Sequence, residues 1–477
     1  RQSLWQIFRQ GVSVVIKHVF VSVLCLLTLV NCGGGNPTVD PAPTPETNNT
    51  VWLEASPESQ GFDATALAAA FDAAFMDGHY TQAGVVIVND RLIYERYRGI
   101  GTLETEALES AGWGQLVALY RARDRDSLAN SWSMAKSVTS LLVGIAIDRG
   151  EIESLDESAS NYIPAWANDA RKDISIANLL DMRSGLEPMC IDFFSGDLQP
   201  CTSAKDAEAG GNIYYADDQL SACLARSLDL AEPGIAAWAN LKVGSFLYSN
   251  CDSMALAEIL FQATGKDLQD YADRYLFSPL NITALWWRDN VEVGQRAGNY
   301  LGYCCLDARP RDFAKLGQLL LNDGGWNGEQ VVSKSYVEAI KKIATDSIVQ
   351  REPPIDAYGL QFRTLVPGYI DPQTPSFPVT FSTYAAAGFD HQYILIDFDK
   401  SLVVVRNSLY APLLFAERDG VDNDSERKMH LDIDLATGRP NIANTSFTAT
   451  LPEGAELPVT NGFSIQQFLY DIVEAGK

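Results

Sequence analysis

Apolar residues along this chain follow two different periods, and the changes of period divide it into elements. Phe62 to Met76 carries alanines and aromatic residues at helical spacing and predicts a helix. Ala83-Gly84-Val85-Val86-Ile87-Val88 then predicts a strand, Asn89-Asp90-Arg91 a turn, and Leu92-Ile93-Tyr94-Glu95-Arg96-Tyr97 its hairpin partner. Toward the other end, Gln392 to Asp397 and Leu402 to Arg406 predict a second hairpin around Asp399-Lys400. Between these outer strands, Val138 to Ile147, Ala255 to Gln262 and Phe313 to Leu321 repeat apolar positions every three or four residues and predict helices. Strands from both ends with helices between them imply one antiparallel sheet beside an inserted helical region, an α+β fold with a cleft where the two meet. Gly368 to Phe381, containing Pro372, Pro375 and Pro378, predicts a long irregular loop, and Ala436-Thr437-Gly438 a turn. The tail from Arg439 to Lys477 shows short apolar patches without a sustained period.

The N-terminal region follows a different rule. Lys17-His18 precedes the apolar run Val19 to Val30, which is too short for an ordinary membrane-spanning helix and matches the layout of a signal peptide over residues 1–32. Leu29-Val30-Asn31-Cys32 is similar to a bacterial lipoprotein cleavage box, with Cys32 as the lipid-anchored residue and Asn31 an imperfect fit before it. Residues 33–55, rich in glycine, proline and threonine, read as a flexible tether, leaving 56–477 as the folded domain. The expectation is an exported bacterial protein, periplasmic or held at a membrane by a lipid.

Composition narrows the functions available. With 36 Lys plus Arg against 61 Asp plus Glu, the formal charge of -25 repels a nucleic-acid backbone and excludes nucleic acid as a partner. The four histidines, His18, His79, His391 and His430, form no short-spaced metal pattern, so no metal or organic cofactor is expected. Beyond the export segment lie Cys190, Cys201, Cys223, Cys251, Cys304 and Cys305, some of which can pair in an oxidising compartment; Cys190 with Cys201 would close a short loop.

The chemistry concentrates in Ser131-Trp132-Ser133-Met134-Ala135-Lys136. Ser133 and Lys136 stand one helical turn apart and share a face if Ser133 opens the following helix. A serine hydroxyl needs a base within hydrogen-bond reach to act as a nucleophile, and a desolvated lysine can supply it. The spacing alone equally describes a helix cap followed by a surface lysine. What favours chemistry is context, because Val138, Leu141, Leu142 and Ile145 make the lysine part of an apolar helix that Gly150 can stop. A second segment, Gly244-Ser245-Phe246-Leu247-Tyr248-Ser249-Asn250, offers Tyr248 as a proton relay and Asn250 to orient Lys136 or a substrate amide.

Ser133-Met134-Ala135-Lys136 and Tyr248-Ser249-Asn250 resemble the first two motifs of serine beta-lactamases and penicillin-binding proteins. The likeness to the 6-aminohexanoate-dimer hydrolase and class C-like esterase group runs from about Gly61 to Asn407. It passes through Ile174 to Leu186 and Ala308-Arg309-Pro310-Arg311-Asp312-Phe313-Ala314. The resemblance implies a serine between two regions of a mixed fold, with Ser133 as nucleophile, Lys136 as its proton partner, Tyr248 as general acid and base, and Asn250 as a positioning group.

The third family motif, Lys-Thr-Gly or a close variant, is absent. In its place stands Ser382-Thr383-Tyr384-Ala385-Ala386-Ala387-Gly388-Phe389-Asp390-His391-Gln392-Tyr393, in which His391 replaces the glycine that relatives carry before the glutamine. Tyr384, His391 and Tyr215 are further candidates for substrate positioning, although a packed histidine and an aromatic loop are the plainer readings of the last two. The Ser133 N–H and one from Tyr384 to Ala386 are candidate oxyanion donors. The expected function is hydrolysis of a small-molecule ester or linear amide through a Ser133 acyl-enzyme, without a cofactor. A beta-lactamase or D-amino-acid peptidase is the alternative within the same chemistry, and a non-catalytic cell-envelope binding lipoprotein the alternative outside it.

Overall fold

The computed structural model describes residues 52–110, 117, 120, 122–191, 198–200, 213, 218–228, 242–289, 292–293, 296–346, 356–365, 383–409, 433–434, 439–440 and 463–476. The expected export segment with Cys32, the expected 368–381 loop and 436–438 turn, Tyr215, Cys201 and His430 lie outside them.

An eight-stranded sheet organises the chain. Its strands are β1 (Leu53–Glu54), β2 (Thr81–Val88), β3 (Arg91–Tyr97), β7 (Asp356–Gly359), β8 (Phe362–Leu365), β9 (Thr383–Gly388), β10 (Gln392–Asp397) and β11 (Leu402–Ser408), in the spatial order β1-β3-β2-β11-β10-β9-β8-β7. Only the β1–β3 pair is parallel. Strands from the two ends of the chain meet where β2 pairs β11, with Val85 opposite Val405 and Ile87 opposite Val403. Three short strands, β4 (Ala129–Asn130), β5 (Ala284–Trp286) and β6 (Leu306–Ala308), form a second sheet in the order β4-β6-β5.

Both faces of the large sheet are covered, which is why its central strands are nearly continuous in apolar residues. Val85, Ile87, Ile394, Ile396, Val403 and Val405 face the helical region, while Val86, Val88, Leu395, Leu402 and Val404 face the opposite layer. That outer layer is α1 (Ala64–Ala74) and α7 (Ile465–Ala475). Asp63 starts α1 by accepting from the Thr65 and Ala66 amides, and Ser464 starts α7 by accepting from the Gln467 amide. Helix α7 departs from the sequence expectation for the tail. Ile465, Phe468, Leu469, Ile472 and Val473 repeat at helical spacing and are buried in the outer layer.

On the inner face lie α2 (Met134–Asp148), α3 (Ile176–Leu180), α4 (Asn250–Thr264), α5 (Pro310–Leu321) and α6 (Lys334–Asp346). Every residue of α2 from Met134 to Ala146 is buried, so it is a central helix rather than an amphipathic surface one. Gly150, in the left-handed region at φ 70°, follows its end. The fold is α+β: an antiparallel sheet with helices on both sides and a larger helical region on the inner one.

The hairpin of β7 and β8 is fastened to that helical region by its turn. Leu360 and Gln361 both have positive φ, as a two-residue hairpin loop requires. Gln361 then acts as a rivet: its amide nitrogen donates to the Leu179 and Leu180 carbonyls at 3.0 and 3.2 Å, and its side-chain oxygen accepts from Ser253 Oγ at 2.8 Å. Its own carbonyl accepts from Ser137 Oγ at 2.7 Å. Gln361→Ala takes the acceptor from the buried Ser253 hydroxyl and one of two donors from each of the Leu179 and Leu180 carbonyls, so a loss of about 2–4 kcal/mol is expected in urea unfolding; a loss below about 1 kcal/mol would show that the rivet carries little.

Candidate active site

Residues 130–136 make a sharp entry into α2. Trp132 sits at φ 44°, a conformation that costs a bulky residue energy and therefore needs external support. Support comes from the small sheet. The Ser131 amide donates to the Leu306 carbonyl at 2.8 Å, and Ser131 Oγ accepts from the Leu306 amide at the same distance. The Trp132 amide donates to Asn130 Oδ1, Asn130 donates to Asp307 Oδ1, and Trp287 Nε1 donates to Asp307 Oδ2. Burial pushes the Asp307 carboxyl up to about 6 despite these donors. Trp286 and Trp287 are both buried, as core groups.

The Ser133 side chain accepts no capping hydrogen bond at the start of α2, so the helix-cap reading of this serine does not describe it. Its hydroxyl oxygen lies 3.0 Å from Lys136 Nζ. Lys136 is 1% exposed, whereas Ser133 is half-buried and reachable. The lysine nitrogen also donates to Asn250 Oδ1 and to the Tyr303 carbonyl, both at 2.8 Å. Its nitrogen lies 4.9 Å from the Tyr248 ring centroid. Ser133, Lys136, Tyr248 and Asn250 thus converge from segments more than a hundred residues apart.

Two loops hold the partners in place. Leu247 and Ser249 donate their amides to the Met182 carbonyl and sulfur, and Gly244 donates to the Arg183 carbonyl. The stretch Met182-Arg183-Ser184-Gly185 is therefore the shelf under Tyr248. At Gly185, φ is 73° and a Cβ would stand 2.4 Å from the Lys242 carbonyl carbon, which leaves glycine as the residue that fits. Ser184 Oγ donates to Asp252 Oδ1 at 2.7 Å below the start of α4. The acceptor of Lys136, Tyr303, adjoins a disulfide between Cys304 and Cys305, and the Cys305 amide donates to the Trp132 carbonyl. A second disulfide joins Cys223 to Cys251, next to Asn250.

The electrostatics follow from burial and charge. Burial draws the Lys136 ammonium down, with Tyr248 opposing and Arg363 reinforcing that shift. Burial alone would raise the Tyr248 phenol, but the Lys136 and Arg363 cations, together with hydrogen bonds from Ser133 and Lys136, pull it below its ordinary value. Each change favours proton sharing within the pair. Tyr358, edge-on to Tyr248 at 5.8 Å, is pushed well up by burial and then by Tyr248, and remains a phenol.

The remaining sequence candidates stand apart from this cluster. Tyr384 is buried beside α2, but its hydroxyl donates to the Lys341 carbonyl of α6 and its ring packs on Phe398. His391 packs on Phe463 and Tyr393 toward the outer layer, and burial followed by the Arg406 cation takes it down to about 4, leaving it neutral. Its neighbour Asp390 does reach the entry segment, accepting from Trp132 Nε1 at 2.9 Å. Gly388 is required here: a Cβ would stand 2.3 Å from the Ser131 carbonyl oxygen, so β9 ends against the backbone just before Ser133. Ala386 to Gly388 pair with β10 beyond the three-residue register of β9 with β8. Sequence reasoning missed Arg363, Tyr358 and the Tyr303 carbonyl. The run Phe362-Arg363-Thr364-Leu365 shows no alternation of apolar and polar residues, so the sequence carried no signal for Arg363.

Among the described residues no group of His, Cys, Asp and Glu is disposed to hold a metal, and no helix is long and apolar enough to cross a membrane.

The profile of the family described as Beta-lactamase matches residues 73–408. The 6-aminohexanoate-dimer hydrolase of Paenarthrobacter ureafaciens is 23% identical over 299 residues, covering 57% of this chain and 72% of that protein. Among solved structures, a penicillin-binding protein homologue from Pyrococcus abyssi aligns at 18% identity with a TM-score of 0.48, covering 74% of this chain and 75% of that one. A penicillin-binding protein from Bacillus halodurans aligns at 14% identity and 0.47, covering 72% and 94%.

Burial pushes the Asp252 carboxyl up to about 7, the Ser184 and Ser249 hydrogen bonds opposing it. An acid whose folded value lies above its unfolded one, near 4, binds more protons in the folded state. Its stability contribution therefore declines as pH rises from about 4 to about 7, by roughly 4 kcal/mol in all. Asp252→Asn abolishes that decline, so its stability advantage over the wild type is expected to grow by about 3 kcal/mol between pH 5 and pH 8 in urea unfolding. Parallel pH dependences in the two proteins would contradict the assignment.

Proposed function

Because the chain belongs to the Beta-lactamase family, we propose that it is a serine hydrolase that cleaves small esters or linear amides through an acyl-enzyme on Ser133. The observation that carries this reading is the 3.0 Å approach of a buried Lys136 nitrogen to a reachable Ser133 hydroxyl oxygen that caps no helix.

A neutral primary amine has two N–H donors and one lone pair. Asn250 Oδ1 and the Tyr303 carbonyl take the two donors, which directs the lone pair of Lys136 at the Ser133 hydroxyl. As Ser133 Oγ attacks the substrate carbonyl carbon, its proton passes to the Lys136–Tyr248 pair, and the carbonyl π electrons move onto oxygen. The resulting oxyanion is met by the Ser133 N–H and by an amide from the end of β9, the stretch that lies against Ser131 and Trp132. Collapse expels the alkoxide or amine, which takes its proton from Tyr248, and water activated by the same pair then releases the acid and restores Ser133. Phe389, 54% exposed and edge-on to Trp132, forms an apolar rim suited to a neutral acyl chain. The absence of a lysine on β9 favours esters and linear amides over substrates that a beta-lactamase or D-amino-acid peptidase grips by a carboxylate.

Hydrolysis rates on chromogenic esters, linear amides and a cephalosporin test the reading. Ser133→Ala is expected to lower ester or amide turnover by roughly 10³-fold or more, and Tyr248→Phe by about 10²–10³-fold. Cephalosporin turnover outpacing the esters would move the protein to the beta-lactamase alternative. An unchanged Ser133→Ala rate would overturn the mechanism.

A further inference from the structure

Arg363 is a cation that neither family motif contains, and its surroundings give it a definite place. It lies in β8, opposite Ala385 of β9 and two residues beyond the Gln361 rivet, so its strand is fixed with respect to α2, α3 and α4. Its guanidinium carbon stands 5.3 Å from the Tyr248 ring centroid and 5.8 Å from that of Tyr358, and Tyr358 is edge-on to Tyr248. Lys136 approaches the same Tyr248 ring at 4.9 Å. Tyr248 therefore has two cations close to its ring, one from α2 and one from the hairpin.

The two cations are not equivalent. Lys136 gains and loses the proton that moves during the reaction, so its field on Tyr248 changes within a cycle. A guanidinium keeps its charge at any pH at which the protein is folded. The strand on which relatives carry a lysine is here Thr383–Gly388, without a cation, and a fixed charge enters from the neighbouring strand instead.

We infer that Arg363 is a positioning residue for the reaction: from β8 it holds Tyr248 in the proton-accepting form while Lys136 exchanges its proton with Ser133. This rests on the serine-hydrolase reading above. The other groups around the tyrosine do not take over the task. Tyr358 stays neutral, and the Asp252 and Asp181 carboxyls, which raise the Tyr358 phenol, supply no positive charge. The direction of the Tyr248 shift agrees, since Arg363 is among the groups that lower it.

The test is the pH dependence of the rate at which a fluorophosphonate labels Ser133, followed by intact mass for the wild type, Arg363→Gln and Arg363→Lys. Thermal unfolding verifies the fold, and Arg363→Met replaces the glutamine variant if that one does not fold. The acid limb of the neutral variant is expected about one pH unit or more above that of the wild type, with the rate recovering at high pH, and Arg363→Lys is expected to restore most of the difference. A folded neutral variant whose limb coincides with the wild type, or a lysine variant displaced as far as the neutral one, would overturn the role of Arg363 alone. A wild type that is not labelled at any pH would overturn the serine-hydrolase reading itself, and the two failures are thus separable.

Discussion

A lysine nitrogen excluded from water must either give up its proton or be answered by acceptors on every side, and the inner layer of this protein is arranged around that requirement. Lys136 is 1% exposed, and its three polar neighbours come from its own helix, from the start of α4 and from the strand approach to β6. Losing one of them would leave a buried donor unanswered, at a cost comparable to that of a sizeable core defect. The Met182–Gly185 shelf, the Cys304–Cys305 segment and the Gln361 rivet can all be understood as fixing one of those neighbours. On the proposed mechanism a rigid frame also favours catalysis, since a base already in hydrogen-bond contact with its nucleophile needs no rearrangement before attack.

The geometry at Ser133 is supported from a distance. Trp132 adopts a left-handed backbone that a tryptophan would not choose, and the Asn130–Asp307–Trp287 network holds it there. Asp390 completes the support from the connection between β9 and β10 by accepting the indole N–H. The Asp390 and His391 carbonyls in turn accept from Arg406, a fully buried guanidinium that also donates to Thr81 Oγ1 and the His79 carbonyl. The segment around Asp390, where no Lys-Thr-Gly stands, thus braces the turn that precedes Ser133.

Much of the scaffold was legible because its elements bury both faces. Val85 to Val88 and Leu402 to Val405 are apolar runs that can only be interior strands, and the wholly buried α2 is visible in its sequence for the same reason. Ser133, Lys136, Tyr248 and Asn250 were legible as short motifs with known proton chemistry. Other features depended on contacts that spacing does not encode. Arg363 lies 115 positions from Tyr248, and the Tyr303 carbonyl is backbone, which no residue type advertises. Tyr384 looked well placed because β9 runs beside the serine, yet its hydroxyl is engaged with α6. Helix α7 went unread because its stripe is short, and the stripe gains its meaning only from α1, packed beside it.

On the proposed mechanism a covalent acyl-enzyme forms on Ser133. Acid quenching of the wild type during turnover of a slowly deacylated ester, followed by peptide mapping, is the measurement that bears on it. The acyl mass is expected on the peptide containing Ser133, disappearing as substrate is exhausted. Steady turnover with the acyl group on another residue, or with no adduct at any quench time under conditions where deacylation limits the rate, would contradict it.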